Sequence, residues 1–320
     1  MKEFEYIQNY IYRLDNSSSI GDDAAIINCT ENQLVVTKDL LIEEVHFLKN
    51  CKPSILAKKA LRSNLSDIAA MGAVPYGYCL GLVLPNDISH NWWQDFTNSL
   101  KEEHKIFDII LLGGDTTSYK NNTIIISITA FGINNGNLLK RSGAKIGDFI
   151  YVSGTIGDAA LGLLVYQNII QKNYQNLKNK YDIPQPRINL GININQIASS
   201  CIDISDGLIQ DMEHICNTSN VGASVYINQI PLSNETKEIL HDVPNYINLV
   251  LSGGDDYELI FTANPKFTDL IKDISKKSGT KITKIGEITK GNSVTLYDNL
   301  NNIVTLDRKG FNHFTSNDII

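Results

Sequence analysis

Aspartates close to glycines or hydroxyl residues recur along the chain, most of them where a short apolar run ends. The six places are Gly21-Asp22-Asp23, Thr37-Lys38-Asp39, Asn64-Leu65-Ser66-Asp67, Gly113-Gly114-Asp115-Thr116-Thr117, Asp203-Ile204-Ser205-Asp206-Gly207 and Gly253-Gly254-Asp255-Asp256. Carboxylates that come together need a counter-ion, because an unpaired buried charge is costly. A hard divalent cation such as Mg²⁺ prefers oxygen ligands. Many carboxylates and few bases therefore suggest chemistry on a Mg²⁺-bound polyphosphate.

A single Gly-Asp pair is more often a turn or a helix N-cap than a ligand. Six such places, most at strand ends, weaken that interpretation. Asp67 lies in a predicted helix beside the apolar positions Leu65 and Ile68, so it either faces a site or is a surface charge. The run Gly113–Thr117 is similar to a phosphate-binding loop, although the chain contains no G-x-x-x-x-G-K-[ST] motif.

Two further residues could contact a ligand. His46 follows Asp39 by seven positions, and a lone histidine is more often structural than functional. Arg141 opens a polar loop from which it could reach a phosphate, or it could simply be solvated there. The chain has no Cys/His metal cluster and no G-x-S-x-G elbow, so zinc hydrolysis and acyl transfer have no support.

The composition limits the possible partners and compartments. The 320 residues are 42% apolar and 20% charged, which is typical of a globular protein. The net charge of -7 without a Lys/Arg-rich block argues against nucleic acid or an anionic membrane as a partner. Five scattered cysteines without a Cys-x-x-Cys pair indicate a reducing compartment. Residues 1–14 lack the features of a signal peptide, and no apolar run could span a bilayer. These features predict a cytoplasmic protein.

The periodicity predicts alternating helices and strands. Helices are expected at 3–14, 53–71, 88–105, 154–167, 207–219, 233–241 and 266–278. Strands are expected at 23–29, 33–40, 76–84, 107–112, 123–133, 149–154, 222–227, 257–262 and 283–288. Residues 168–182 are expected to be a polar helix or loop. The Gly-rich run 141–148 marks a boundary, so we predict an α/β protein with two tandem domains, 1–143 and 144–320.

Taken together, the motifs resemble those of the thiamine-monophosphate kinases, a family within the aminoimidazole ribonucleotide synthetase-like superfamily. The matching segments are GDDAA (21–25), TKD (37–39), HF (46–47), NLSDIAAMGA (64–73), GGDTT (113–117), RSGAK (141–145), SGTIGDAALGL (153–163), DISDGL (203–208), SGGDDYEL (252–259) and GF (310–311). NLSDIAAMGA and DISDGL are shared across the superfamily. The combination of GGDTT, RSGAK, DISDGL and SGGDDYEL is more specific to the thiamine-phosphate kinases.

This resemblance implies an activity and an assembly. ATP would phosphorylate thiamine phosphate directly, giving thiamine diphosphate in the last step of its biosynthesis, with several Mg²⁺ ions bound. The N-terminal sheet domain would form a homodimer interface, and the C-terminal α/β domain would complete each active site. Two rivals stay open: another ATP-using member of the superfamily, such as a selenophosphate or aminoimidazole ribonucleotide synthetase-like enzyme, or a non-catalytic Mg-nucleotide-binding paralogue.

The family's site residues map onto positions spread over both halves of this chain. The implied metal ligands are Asp23, Thr37, Lys38 (through its backbone), Asp39, Asp67, Asp115, Asp203 and Asp206, of which Asp39 and Asp115 are predicted to be catalytic. The implied ATP contacts are Gly114, Asp115, Arg141 and Ser205. The implied substrate contacts are His46, Asp255 and Phe311. Three of these depart from the family pattern, which commonly has a hydroxyl residue at Lys38, Glu at Asp255 and Trp at Phe311. Asp22 and Asp256 are expected to be structural.

Overall fold

The computed structural model describes residues 22–29, 33–120, 122–134 and 136–310. Its chain divides into two compact units. The first unit comprises Asp23–Leu138 together with Asp182–Asn195. Among the described residues, the second unit comprises Asp22, Leu139–Tyr181 and residues 196–310. The predicted helix at 3–14 and the predicted contact Phe311 lie outside the described residues.

The first unit is a five-stranded sheet with helices on one face. Its elements are β1 (Ala25–Asn28), β2 (Gln33–Ile42), α1 (Pro53–Ala70), β3 (Val74–Pro85), α2 (His90–Phe107), β4 (Ile110–Tyr119), β5 (Ile125–Asn134) and, later in the chain, α5 (Ile188–Ile194). The strand order is β1-β2-β5-β3-β4, with only β3 and β4 parallel. Helix α1 packs on β2 and β5, and α2 packs on α1. Alternating burial along β5 gives the sheet one covered and one open face.

Local sequence signals explain where the two long helices begin and end. Pro53 occupies the first turn of α1, where its missing N–H costs nothing, and the chain leaves the helix through Gly72 at φ 66°. Ser89 caps α2 by accepting a hydrogen bond from the Trp92 N–H, and Asp108 ends it in the left-handed conformation. The predictions of 53–71 and 88–105 therefore describe these helices to within two residues.

The second unit is built on a seven-stranded sheet. Its elements are β6 (Phe149–Ser153), α3 (Asp158–Tyr166), α4 (Gln175–Asp182), β7 (Ala198–Asp203), α6 (Leu208–Ser219), β8 (Gly222–Tyr226), α7 (Asn234–Asp242), α8 (Ile247–Ser252), β9 (Leu259–Ala263), α9 (Thr268–Ser278), β10 (Ile282–Thr289), β11 (Val294–Tyr297) and β12 (Ile303–Val304). The strand order is β12-β11-β8-β10-β6-β9-β7. Helices α3, α6 and α8 contribute to one apolar core with these strands.

The structure confirms a mixed α/β protein with two domains and corrects several details. The strand predicted at 107–112 exists but its limits are wrong, because residues up to Phe107 finish α2 and β4 runs from Ile110 through the Gly113-Gly114 pair to Tyr119. Short elements such as α5, α8, β11 and β12 were missed. The domain limits 1–143 and 144–320 stay a prediction. The chain passes from the first unit to the second at Leu139, and residues 182–195 return to the first unit. Among the described residues, no helix has the length and apolar character needed to cross a bilayer.

Candidate active-site residues

Three predicted ligands of the first unit lie together beside the covered face of its sheet. A carboxylate oxygen of Asp23 lies within 4.8 Å of one of Asp67. The Thr37 hydroxyl donates a hydrogen bond to Asp67 Oδ2 at 2.5 Å. Asp23 and Thr37 are buried, at 8% and 6% exposure. All three offer hard oxygen donors in a poorly solvated place, which is the donor set that Mg²⁺ prefers.

The elements explain this arrangement. Asp23 precedes β1, Thr37 lies in the middle of β2, and Asp67 lies one turn before the end of α1. Thr37 and Asp39 are two residues apart in a regular strand, so their side chains share the face on which α1 packs. Asp39 is therefore on the same side of the sheet as Asp67.

Lys38, the departure from the family pattern, lies on the opposite face. It alternates with Thr37 and Asp39, and its ammonium group donates to Ser127 Oγ on β5 at 2.6 Å. Leu40 shares this open face and is 49% exposed. The positive charge of Lys38 is thus directed away from the Thr37–Asp67 hydrogen bond.

Asp115 does not join the acidic residues of its own chain. The cross-strand row pairs Leu40 with Ser127, Ser127 with Gly81, and Gly81 with Asp115. Paired residues share a face of the sheet, so Asp115 lies on the open face and Thr37 on the other. Asp115 is exposed, and its Oδ1 accepts the N–H of Thr116 at 2.8 Å.

Gly114, directly before Asp115, serves strand packing. A Cβ on Gly114 would lie 1.9 Å from the carbonyl oxygen of Leu80 on β3, so only glycine allows this approach of the two strands. The similarity of Gly113–Thr117 to a phosphate loop is wrong as a description of backbone shape. The segment is extended, and successive N–H groups in a strand point in opposite directions rather than converging.

His46 is oriented by the backbone of the turn after β2. The Ile42 N–H donates to His46 Nδ1 at 3.0 Å. Because Nδ1 accepts, the neutral ring carries its proton on Nε2 and can offer that N–H as a donor. The side chain is half-buried. This tautomer suits contact with an anionic oxygen.

In the second unit, Asp203, Ser205 and Asp206 surround the turn between β7 and α6. Asp203 ends β7 and is 2% exposed, while Ser205 is exposed and Asp206 is half-buried. Gln210 donates to Asp206 Oδ2 at 3.1 Å. The strand ends at Asp203, so Ser205 and Asp206 belong to the turn that follows it.

Asp211, which the sequence analysis missed, lies under this turn. Its Oδ2 accepts the N–H groups of Ser205, Asp206 and Gly207, each at 3.1 Å. Burial raises the pKa of the Asp211 carboxyl well above its ordinary value, and the charges of Asp206 and Asp203 raise it further. An Asp in the first turn of a helix, four residues after a glycine that follows a strand, was the available signal.

A second loop of the same unit is joined to this turn. The Asp255 N–H donates to the Ser205 carbonyl at 3.0 Å, and the Asp255 carboxylate accepts the Tyr257 hydroxyl at 3.2 Å. Asp255 and Tyr257 both have positive φ, at 69° and 50°, which is rare for side-chain-bearing residues and common at functional sites. The buried Asp256 accepts the N–H groups of Gly157 and Ala159, which is the structural role expected of it.

Arg141 is held through its backbone, and its charge affects groups on α6. Its N–H donates to Asp22 Oδ1 at 3.0 Å, as expected of a structural Asp22, and its carbonyl accepts the Ser219 hydroxyl. The Arg141 charge lowers the pKa of Asp211 against the larger effect of burial. Burial, with a smaller effect from Arg141, lowers the pKa of His214 from 6.5 to about 4.

The His214 shift predicts a loss of stability in mild acid. The folded protein keeps this imidazole neutral, whereas the unfolded chain protonates it below its ordinary pKa of 6.5. The contribution of neutral His214 to the stability of the fold is therefore complete above pH 6.5 and is lost as the pH falls toward 4. Between about pH 7.5 and about pH 5 the loss should be about 2 kcal/mol. Urea unfolding followed by circular dichroism should show this pH dependence reduced in His214→Gln.

The control for this prediction is His241→Gln, because the His241 side chain is 89% exposed. That variant should keep the wild-type pH dependence. Equal pH dependence of stability in wild type and His214→Gln would contradict the lowered pKa of His214.

Comparisons with known proteins agree with these motifs. Residues 21–134 match the family model described as AIR synthase related protein, N-terminal domain, and residues 145–299 match its C-terminal domain. The chain is 39% identical to "Thiamine-monophosphate kinase" of Buchnera aphidicola subsp. Acyrthosiphon pisum and 40% identical to that of Escherichia coli O157:H7, over 98% of each chain. A solved structure described as "AaThiL complexed with AMPPCP and TMP" is 30% identical, covers 98% of this chain and 97% of that chain, and has a TM-score of 0.86.

Proposed function

This chain belongs to the thiamine-monophosphate kinase family, and from that premise we propose that it phosphorylates thiamine phosphate with ATP, giving thiamine diphosphate and ADP. The similarity to curated thiamine-monophosphate kinases over 98% of the chain carries the proposal. The similar structure crystallised with the ligands AMPPCP and TMP supports it. Another ATP-using enzyme of the superfamily would have this similarity but transfer the phosphoryl group to a different acceptor. A non-catalytic paralogue would have it but transfer no phosphoryl group.

We propose Mg²⁺ as the metal. Asp23, Thr37 and Asp67 fit this ion because they present carboxylate and hydroxyl oxygens close together in a buried place. Asp39 lies on the same side of the sheet and would add a carboxylate. Asp203 and Asp206 are the metal ligands that we propose in the second unit. The chemistry that bound Mg²⁺ would supply there is neutralisation of phosphate charge.

The main obstacle to the reaction is the repulsion between the two negatively charged phosphate groups rather than proton transfer. The acceptor is a phosphate monoester whose second pKa is near 6, so its oxygen is already an anion at neutral pH. Two unit charges 4 Å apart repel by about 4 kcal/mol at an effective dielectric constant of 20. The His46 Nε2–H would donate to the incoming phosphate, Arg141 would stabilise the nucleotide phosphates, and Asp255 would contact the thiamine phosphate. Direct transfer follows, without a phosphorylated enzyme.

We further propose a homodimer formed through the first unit. All ten residues of β4 are exposed, including Ile110, Leu111 and Leu112 at 51%, 48% and 44%. Within the described residues, β4 is an edge strand paired only with β3. An exposed apolar edge strand is a ready site for pairing with another chain. A second copy covering β4 would bury these side chains.

A dimer would also give Asp115 a role. Its own sheet separates it from Asp67, as the cross-strand row indicates. We propose that Asp115 and Gly114 serve the acidic group of the partner subunit instead. Each site would then need both chains.

The function is tested by incubating the full chain with ATP, Mg²⁺ and thiamine phosphate, and measuring ADP and thiamine diphosphate. Equal amounts of both products are expected, and unphosphorylated thiamine should yield neither. ATP hydrolysis that ignores thiamine phosphate would favour one of the rivals, and no turnover with retained nucleotide binding would favour the paralogue. Intact mass after ATP alone should show no phosphorylated protein.

The predicted cytoplasmic location stays a prediction, which cell fractionation would test.

A further inference from the structure

We infer that Asp211 is a positioning residue that sets the shape of the turn carrying Ser205 and Asp206; the inference rests on the function proposed above. A single oxygen of its carboxylate, Oδ2, accepts the N–H groups of Ser205, Asp206 and Gly207 at 3.1 Å each. Asp211 is 2% exposed, so no water competes effectively for that oxygen. Three convergent donors on a buried carboxylate define one conformation of the turn.

The turn cannot satisfy these donors by itself. Gly207 has φ 125°, so the chain changes direction there, and the three N–H groups precede or open the first turn of α6, where a helix leaves its amides unpaired. The Asp211 N–H in turn donates to the Gly207 carbonyl at 3.0 Å. Side chain and backbone of Asp211 thus hold the turn from the helix side.

The same turn is held from the opposite side by the loop that carries Asp255. The Ser205 carbonyl accepts the Asp255 N–H, while the Ser205 N–H goes to Asp211. A Cβ on Gly254 would lie 2.1 Å from that carbonyl, so the two loops touch backbone to backbone. A displaced Ser205 peptide would therefore move Asp255 as well. Asp211 consequently supports both the predicted metal and nucleotide residues and the predicted substrate residue.

Not every buried aspartate of this unit has such a position. Asp148 is also 2% exposed, and its Oδ2 accepts the Lys145 N–H and the Ser199 hydroxyl. None of the residues it holds is a predicted ligand. Asp148 is therefore a matched control for the loss of a buried, hydrogen-bonded carboxylate.

The experiment compares Asp211→Asn with Asp148→Asn in the full chain. Stability is measured by urea unfolding, Mg²⁺ binding by calorimetric titration with Mg²⁺ and an ATP analogue, and turnover as a function of Mg²⁺. A neutral amide oxygen is a weaker acceptor for three N–H groups. Asp211→Asn should lower kcat and weaken Mg²⁺ binding about 10- to 100-fold. Asp148→Asn should lose stability while keeping wild-type kcat and Mg²⁺ binding.

Wild-type kcat and Mg²⁺ binding in Asp211→Asn, or equal losses in both variants, would overturn the inference. If Asp211→Asn does not fold, Asp211→Glu decides, since it keeps the charge but displaces it by one methylene. Its Mg²⁺ affinity should fall several-fold, and an unchanged affinity would contradict positioning. A wild type that makes no thiamine diphosphate overturns the proposed function only, because the calorimetric comparison still tests Asp211.

Discussion

A one-to-one mixture of the inactive proteins Asp67→Asn and Asp115→Asn should recover about a quarter of wild-type kinase turnover. Each substitution alone should lower kcat by about 100-fold or more, since loss of a metal-binding carboxylate removes several kcal/mol of charge stabilisation. Asp115 lies on an exposed strand, so its substitution should leave stability unchanged. If Asp115 serves the partner's acidic group, half of the randomly paired dimers are mixed, and each mixed dimer holds one intact site.

The matched control is a mixture of Asp67→Asn and Asp39→Asn. Both residues lie on the same side of one chain's sheet, so a mixed dimer has a defect in each site and stays inactive. Subunits are exchanged in both mixtures by the same mild denaturation and dilution. The turnover of each mixture is then compared with that of each variant treated alone in the same way. Lack of recovery for the Asp67–Asp115 pair, with exchange verified by mass spectrometry, would place both residues in one chain's site. A monomer in solution would contradict the dimer itself.

Arg62→Met should destabilise the first unit by about 3–5 kcal/mol, because it leaves a buried carboxylate without its counter-charge. Arg62 donates to both oxygens of Glu103, at 2.6 and 3.0 Å, and to the Pro184 carbonyl at 3.1 Å. Glu103 is fully buried and Arg62 is 7% exposed. The pair joins α1 and α2 to the returning segment 182–195. Both tryptophans of the chain lie in α2, so fluorescence during urea unfolding reports on this unit.

The chain supplies its own control for this prediction. Lys58 pairs with Glu102 between the same two helices at 2.7 Å, but Glu102 is 61% exposed. Lys58→Met should cost less than about 1 kcal/mol. The double variant Arg62→Met with Glu103→Leu should regain much of the lost stability, because no uncompensated charge stays buried. A small effect of Arg62→Met would show that water reaches Glu103 once the arginine is gone.

Motifs and periodicity were sufficient to predict the family, the fold class and the candidate carboxylates. A helix such as α1 is set by local signals, including Pro53 at its start and Gly72 after its end, so its limits could be predicted from the sequence. Metal-binding residue types are also local information, since hard cations prefer oxygen ligands such as carboxylates and hydroxyls. The strand predicted at 107–112 was ended too early, and residues 113–117 were predicted to be a loop, because glycines usually mark turns. Here Gly114 instead permits β3 and β4 to approach closely.

The amino-acid sequence thus determined which residues are available for chemistry, and the tertiary structure decided which of them can act together. Lys38 and Asp39 are neighbours in the chain but lie on opposite faces of a strand. Asp115 shares its face with Lys38 through three pairings across four strands. The sequence analysis did not single out Asp211, whereas in the structure its carboxylate accepts hydrogen bonds from three amides of the preceding turn. Strand register depends on distant parts of the chain, so local patterns did not reveal the faces on which Lys38, Asp39 and Asp115 lie.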